Sequence, residues 1–373
     1  MAQKPTNSFK AVSFGDVHLG LPSNPAPRII DNIRKWLHPV IKRGDIDVVF
    51  IAGDLFDRLL FLNDPYIGEI DSWLVEFITL CAITNTELIC LEGTPRHDRK
   101  QSKRLEHLHS LFSDKCKFRY IQTLSIEYVE SIRQYVLFVP DVIRNSAQTT
   151  IDDVRTLMQE LGIDKVGTAV MHGAFKYQLP IVDKHSHDEA DYEAIVDNVI
   201  LINHVHNFST RGKIIAPGSF DCTAHGFKGQ FGAVEVTYEN GGVSYKRIIN
   251  KTAMPFIKVK LLDGPEKIEK AVSKAVEMAY GGIPNVKVVC PLTAENKSLY
   301  EAYKAKYPGV RWDIENVVAH TEERKEKAIS ITELRSIDYT HENIVSVVVD
   351  KLRRNGVSEN DIPRLSETLE RYL

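Results

Sequence analysis

Aspartate and histidine recur in this chain at the ends of apolar runs, in pairs that can share a cation. Asp16-Val17-His18 closes the run at 9–18, Gly53-Asp54-Leu55-Phe56-Asp57 the run at 46–57, and Gly93-Thr94-Pro95-Arg96-His97-Asp98 the run at 87–98. Met171-His172-Gly173 and Asn203-His204-Val205-His206 close two later runs. Side chains two apart on a strand point to one side, so Asp16 with His18, and His204 with His206, can reach one ion. Asp54 follows a glycine that lets the backbone turn, and a carboxylate there can bridge two cations. His97 is a candidate proton donor to a leaving group, with the Asp98 carboxylate beside it to favour its charged form. Each motif has a plainer reading alone: a helix cap for Asp54 or Asp57, a proline turn with a solvated imidazole for His97. Five strand ends in order, each finishing in Asp or His, favour the chemical reading.

The elements that must carry these residues are legible in the hydrophobic pattern. The runs at 9–18, 46–57 and 87–98 are continuous in Val, Ile, Leu and Phe, as expected of strands buried on both faces. Helical patterns lie between them at 28–43 and 71–84. Further strands are expected at 134–140, 166–172, 199–206 and 213–217, with a hairpin of 232–238 and 242–249. The expected fold is therefore α/β, two sheets sandwiched by helices over residues 1–250, with sites at strand carboxyl ends. A small α/β domain is expected at 251–320, from strands near 255–262 and 285–292 and helices at 265–280 and 295–306. Residues 321–373 read as a charged linker and two helices, at 341–354 and 359–373.

The ordered set resembles the calcineurin-like metallophosphoesterase superfamily, whose pattern runs D-x-H, G-D-x-x-D, G-N-H-D, H, G-H-x-H. The match spans residues 9–250. The forms GDVHLG, AGDLFD, MHG, HVH and APGSFD look most like the SbcD-type nuclease subunit of double-strand-break repair complexes, in which the element at Ala216–Ser219 is typical. The resemblance implies one metal on Asp16, His18, Asp54 and His206 and a second on Asp54, His172 and His204. It implies that His97 protonates or stabilises the leaving oxygen, oriented by Asp57 or Asp98. Two divalent ions clamp a phosphate and acidify a bridging water, and this carboxylate–imidazole mixture suits manganese or iron, with zinc possible. The implied function is a metal-dependent DNA exonuclease and endonuclease in DNA end processing, repair or recombination, with an SMC-like ATPase partner and a possible homodimer. The alternatives are a small-molecule or nucleotide phosphoesterase of the same superfamily, and a scaffold that keeps the fold without catalysis.

Two departures stand out. The G-N-H-D of the family is here G-T-P-R-H-D, so its metal-binding Asn has no direct match; Thr94 or a water is left to fill the position, and Arg96 can neutralise substrate phosphate. Asn203 replaces the Gly of G-H-x-H, a mild change if the site needs a left-handed backbone, which Asn tolerates.

Other features carry less. Residues 96–104 (RHDRKQSKR) hold five basic residues against one acidic, so Arg96, Arg99 and Lys100 can contact DNA phosphates or simply face water. His185 and His187 read as solvated residues of a polar loop, His107 and His109 cannot face one ligand on a helix, and His225 has no assigned role. Ile362, Leu365, Leu369 and Leu373, with Ile344, Val347, Val348 and Leu352 before them, make stripes that can dock a coiled coil or pack on the chain itself. No Walker motif occurs, so the chain cannot by itself be a P-loop motor, and under the nuclease reading an SMC-like ATPase partner should supply that function. The net charge of −3 excludes a generally basic protein, so any DNA contact is local. No run is long enough to span a membrane and no leader is seen. Five scattered cysteines, never as C-x-x-C, fit reduced thiols in the cytoplasm.

Overall fold

A strand buried on both faces must alternate its side chains between two cores, and the second strand of this protein does so. Val48, Phe50 and Ala52 enter one apolar cluster, Val49 and Ile51 another, and all five are fully buried. The computed structural model describes residues 8–112, 116–141, 146–227, 229–239, 242–279 and 282–316. In chain order the elements begin β1 (Ser8–Phe14), α1 (Ala26–Trp36), α2 (His38–Ile41), β2 (Val48–Ala52), α3 (Ile67–Ile83), β3 (Glu87–Leu91), α4 (Lys103–Phe112) and β4 (Phe118–Ile121). They continue with β5 (Ser125–Val129), β6 (Gln134–Val139), α5 (Ala147–Leu161), β7 (Val166–Gly173), α6 (Glu189–Ile195), β8 (Val196–His204), β9 (Ser209–Arg211) and β10 (Ile214–Ala216). Then come β11 (Gly232–Glu239), β12 (Gly242–Ile249), β13 (Phe256–Lys260), α7 (Pro265–Met278), β14 (Asn285–Cys290), α8 (Ala294–Lys306) and β15 (Arg311–Asn316).

Two six-stranded sheets stack face to face, ordered β12-β11-β1-β2-β3-β4 and β5-β6-β7-β8-β10-β9. Their shared core includes Phe50, Ile89, Phe138, Val170, Leu201 and Val236. Phe50 and Phe138 meet across it with ring centroids 6.3 Å apart, so truncating either to Ala would cost about 3–5 kcal/mol. Helices α1 to α4 cover the outer face of the first sheet, and α5 and α6 that of the second. This is the helix-flanked two-sheet sandwich that the sequence leads one to expect. Strands β1 to β4 run parallel, as do β6, β7, β8 and β10, so the carboxyl ends of each set gather along one edge of its sheet.

The sheet β13-β14-β15 packs α7 and α8 around its own apolar cluster. A buried polar knot joins it to the sandwich. Asp221 accepts from Asn32 Nδ2, from Asn250 Nδ2 (3.0 Å) and from the Met254 backbone N–H (2.7 Å), while Arg28 donates to the carbonyls of Ala279 and Thr252. Asn285 Nδ2 and the Arg311 guanidinium reach the carbonyls of Ser23 and Pro22, in the loop that follows His18.

Several elements depart from the expected ones. The helix expected at 28–43 is two, because Pro39 removes a backbone donor just past Trp36. Strands β4, β5, β9 and β15 and helices α5 and α6 add to the expected set; most are short or carry mixed polar patterns. The linker and the helices expected at 341–354 and 359–373, with their apolar stripes, lie outside the described residues. No helix among the described residues is long and apolar enough to cross a membrane. The five cysteines are buried.

Candidate metal centre

Strand β1 stops at Phe14, before its acidic end, so Asp16, His18, Asp54 and His206 sit in loops, while His172 lies in β7 and His204 ends β8. Asp16, His18 and Asp54 take left-handed backbone angles, with φ of 47°, 54° and 51°, and His204 has φ 124°. Asp16 and His18 are therefore brought together by a coiled loop, and the expected alternation along a strand is not what aligns them. Such conformations cost of order 1–3 kcal/mol each for non-glycine residues and persist only where neighbours enforce them. Here the enforcement is a pairing of loops. The N–H groups of Asp16, Val17, His18 and Leu19 donate to the carbonyls of Gly53, Asp54, Asp54 and Leu55.

Close packing at two glycines completes the frame. A Cβ on Gly53 would lie 2.3 Å from His172 Nδ1, and one on Gly93 would lie 2.1 Å from the Asp54 nitrogen. Neither position accepts a side chain without moving a candidate ligand.

The framed side chains form two clusters. Asp16, His18 and His206 offer one atom each within a span of 4.8 Å, and Asp54, His172 and His204 do the same. His18 Nε2 lies 3.2 Å from His206 Nε2, and His206 Nε2 is 3.9 Å from Asp16 Oδ1. His172 Nε2 is 3.3 Å from Asp54 Oδ1, and Asp54 Oδ2 is 4.0 Å from His18 Nε2, so Asp54 stands between the clusters. All six residues that the sequence singles out as ligands meet at one place.

The donor set suits divalent cations. Asp16 Oδ1 is buried with no hydrogen-bond partner, which is costly for a carboxylate unless an ion satisfies it. On two of the histidines the ring nitrogen facing away from the cluster is engaged. His172 Nδ1 donates to the Ala52 carbonyl at 2.8 Å, and His206 Nδ1 lies 2.8 Å from Thr223 Oγ1. Such contacts fix the tautomer and aim Nε2 at an ion. Electrostatics follow the same logic. Burial opposes charge on His172, but the Asp54 carboxylate outweighs it and raises the imidazole to about 10. Asp54 is itself held well below the usual carboxylate range by the charges of His172 and His18 against its own burial. Burial drives His206 down to about 4.

Asn203 works differently from the expectation. Its own φ is not left-handed; that conformation falls on His204. The buried Asn203 amide donates to Asp16 Oδ2 at 3.1 Å and to the Gly218 carbonyl at 2.9 Å, and the His204 N–H joins it on Asp16 Oδ2 at 3.0 Å.

Asp57 and His97 form the rim. His97 Nδ1 donates to the Asp57 carbonyl at 2.6 Å, and its ring stands edge-on to His18 with centroids 4.8 Å apart. Asp57 Oδ1 is 3.4 Å from His18 Nδ1 and 4.0 Å from His97 Nδ1. The expectation that Asp98 orients His97 is corrected: its carboxylate is turned inward and accepts the backbone N–H groups of Asp54, Phe56 and Gly93 at 3.0, 2.9 and 2.8 Å. Burial and the neighbouring Asp54 charge push Asp98 up to about 7 in spite of these donors.

Arg96, Arg99 and Lys100 are exposed on the loop that carries His97. His185 is exposed, whereas His187 is buried against Phe175 and Tyr192, with its Nδ1 3.1 Å from the Tyr192 hydroxyl; it is a core residue and no solvated loop histidine. His107 and His109 lie on α4, where His109 Nε2 donates to the Cys116 carbonyl, and His225 stacks edge-on to Phe256. Thr223, behind His206, carries no motif and could have been found only by its nearness in sequence to Ala216–Ser219.

No protein-family model matches the sequence, and no curated protein does. Solved structures do match. One crystal structure aligns over 65% of this chain and 99% of its own at 10% identity, with a TM-score of 0.42. The crystal structure of TT1561 of Thermus thermophilus aligns over 64% of this chain and 99% of its own at 8% identity, with a TM-score of 0.38.

Proposed function

We propose that this protein is a metal-dependent phosphodiesterase of the calcineurin-like kind, and that its substrate is DNA. The observation that carries the reading is the pair of clusters joined at Asp54, with His97 on their rim. One ion would be held by Asp16, His18, Asp54 and His206 and the other by Asp54, His172 and His204, a mixed carboxylate–imidazole set that suits manganese or iron. Bound there, the ions would supply Lewis acidity toward a phosphate and lower the pKa of a water.

The chain's own residues supply the rest. Donation from Nδ1 to the Asp57 carbonyl fixes the His97 tautomer, so any second proton resides on Nε2, the atom available to a leaving oxygen. The exposed Arg96, Arg99 and Lys100 lie on the same loop, where they can hold phosphates on either side of the scissile one. That placement favours a polymeric substrate over a small one. In a cell the reading extends to DNA end processing with an SMC-like ATPase as partner.

The test is digestion of linear duplex DNA by purified protein with Mn2+, with and without an ATPase partner, beside a His97→Ala control. Manganese-dependent cleavage lost in the control supports the proposal. Intact DNA together with turnover of a nucleotide would favour the small-molecule reading, and failure to take up any metal would favour the scaffold.

A further inference from the structure

We infer that the Thr94 hydroxyl is itself a ligand of the second cation, a role that rests on the metal-centre reading above. Thr94 Oγ1 lies 3.2 Å from Asp54 Oδ2, 3.3 Å from His172 Nε2 and 3.4 Å from His204 Nδ1. A hydroxyl that belonged to one partner through a good hydrogen bond would approach it to about 2.7–2.8 Å for oxygen and leave the others farther off. Three near-equal distances are instead those of neighbouring donors around a common centre. Ligands about 2.0–2.2 Å from one ion stand roughly 3.0–3.5 Å from each other at right-angled or tetrahedral corners.

The backbone holds the hydroxyl in place. The Thr94 N–H donates to Asp54 Oδ1 at 2.6 Å, and the Thr94 carbonyl accepts from the N–H groups of His97 and Asp98 at 2.9 and 3.1 Å. Pro95 begins that turn with the φ it requires. The two residues Pro95 and Arg96 are thereby absorbed in a tight turn, so Thr94 can face the cluster while His97 reaches the rim. A neutral hydroxyl oxygen in place of an amide oxygen leaves the charge of the second site unaltered and favours a hard cation.

Titration of the full chain with Mn2+, followed by calorimetry, should show two sites. Thr94→Val should weaken the second by about tenfold or more with the first unmoved, and Thr94→Ser should restore it. Thr94→Cys loaded with Co2+ decides between ligation and a merely structural hydroxyl. A thiolate bound to cobalt gives a charge-transfer absorption absent from the wild type, whose cysteines are all buried away from the clusters. A cobalt-loaded Thr94→Cys protein without that band, or a Thr94→Val protein that titrates like the wild type, overturns the inference while the metal centre stands. A wild-type chain that takes up no cation overturns both.

Discussion

The Asp98 carboxylate accepts the backbone N–H of Asp54 at 3.0 Å, so the proposed bridging ligand is held from behind by a residue of a different loop. Three N–H groups depend on this one side chain. Asp98→Ala would strand them in a dry interior, where each unpaired group costs about 1–3 kcal/mol, partly offset by removing a charge beside Asp54. We expect a net loss of about 2–4 kcal/mol in denaturant unfolding and weaker Mn2+ uptake. Unchanged stability and unchanged metal affinity would show that Asp98 does not organise this loop.

His97 hydrogen-bonds the Asp57 carbonyl through Nδ1 and is not among the six proposed ligands. His97→Gln should therefore lower phosphodiester cleavage by about 10²–10⁴-fold while Mn2+ stoichiometry stays at the wild-type value. Parallel loss of metal and activity would place His97 in the ligand set instead.

Neutralising Arg96, Arg99 and Lys100 together to Gln should weaken DNA binding most at low salt. If each meets one phosphate, the slope of log K against log salt should shrink by about 2–3. Fluorescence anisotropy over a salt series measures it, and an unaltered slope would remove this loop from the DNA interface.

The architecture was readable because β2 and β3 are continuous apolar runs between polar turns, and a sandwich is what such strands build when helices alternate with them. The six candidate ligand positions stood out because each closes such a run. Their mutual geometry was not. Left-handed φ at Asp16, His18 and Asp54 is set by hydrogen bonds between loops distant in sequence, which no local pattern announces. The inward turn of Asp98 escaped for a similar reason: two of the N–H groups it accepts belong to Asp54 and Phe56, on an earlier loop. His187 was misread because the polar composition of its loop hides the aromatic pocket formed by Phe175 and Tyr192.

Acid should destabilise the metal-free protein partly through His38, which lies outside both clusters. It is buried beside Phe77, with Glu76 3.4 Å from its Nδ1; burial, with Lys42 and Arg34, holds it down to about 4 against the pull of Glu76. An unfolded imidazole titrates near 6.5. Between pH 6.5 and 4 the unfolded chain therefore binds a proton that the folded one refuses, and stability falls as pH falls. In EDTA, the drop in melting temperature from about pH 7.5 to about pH 5 should be smaller for His38→Gln than for the wild type. His187 is held down in the same way and leaves some slope behind. Equal slopes would contradict the assignment.

The left-handed loops also bear on what this chain would become without its chemistry. At Asp16, His18 and Asp54 the backbone would be easier to fold with glycine or asparagine, so these side chains weaken the fold that carries them. A protein kept only as a scaffold would gain stability by letting them drift. Their presence, all together and in strained conformations, is what the proposed activity would demand of the fold.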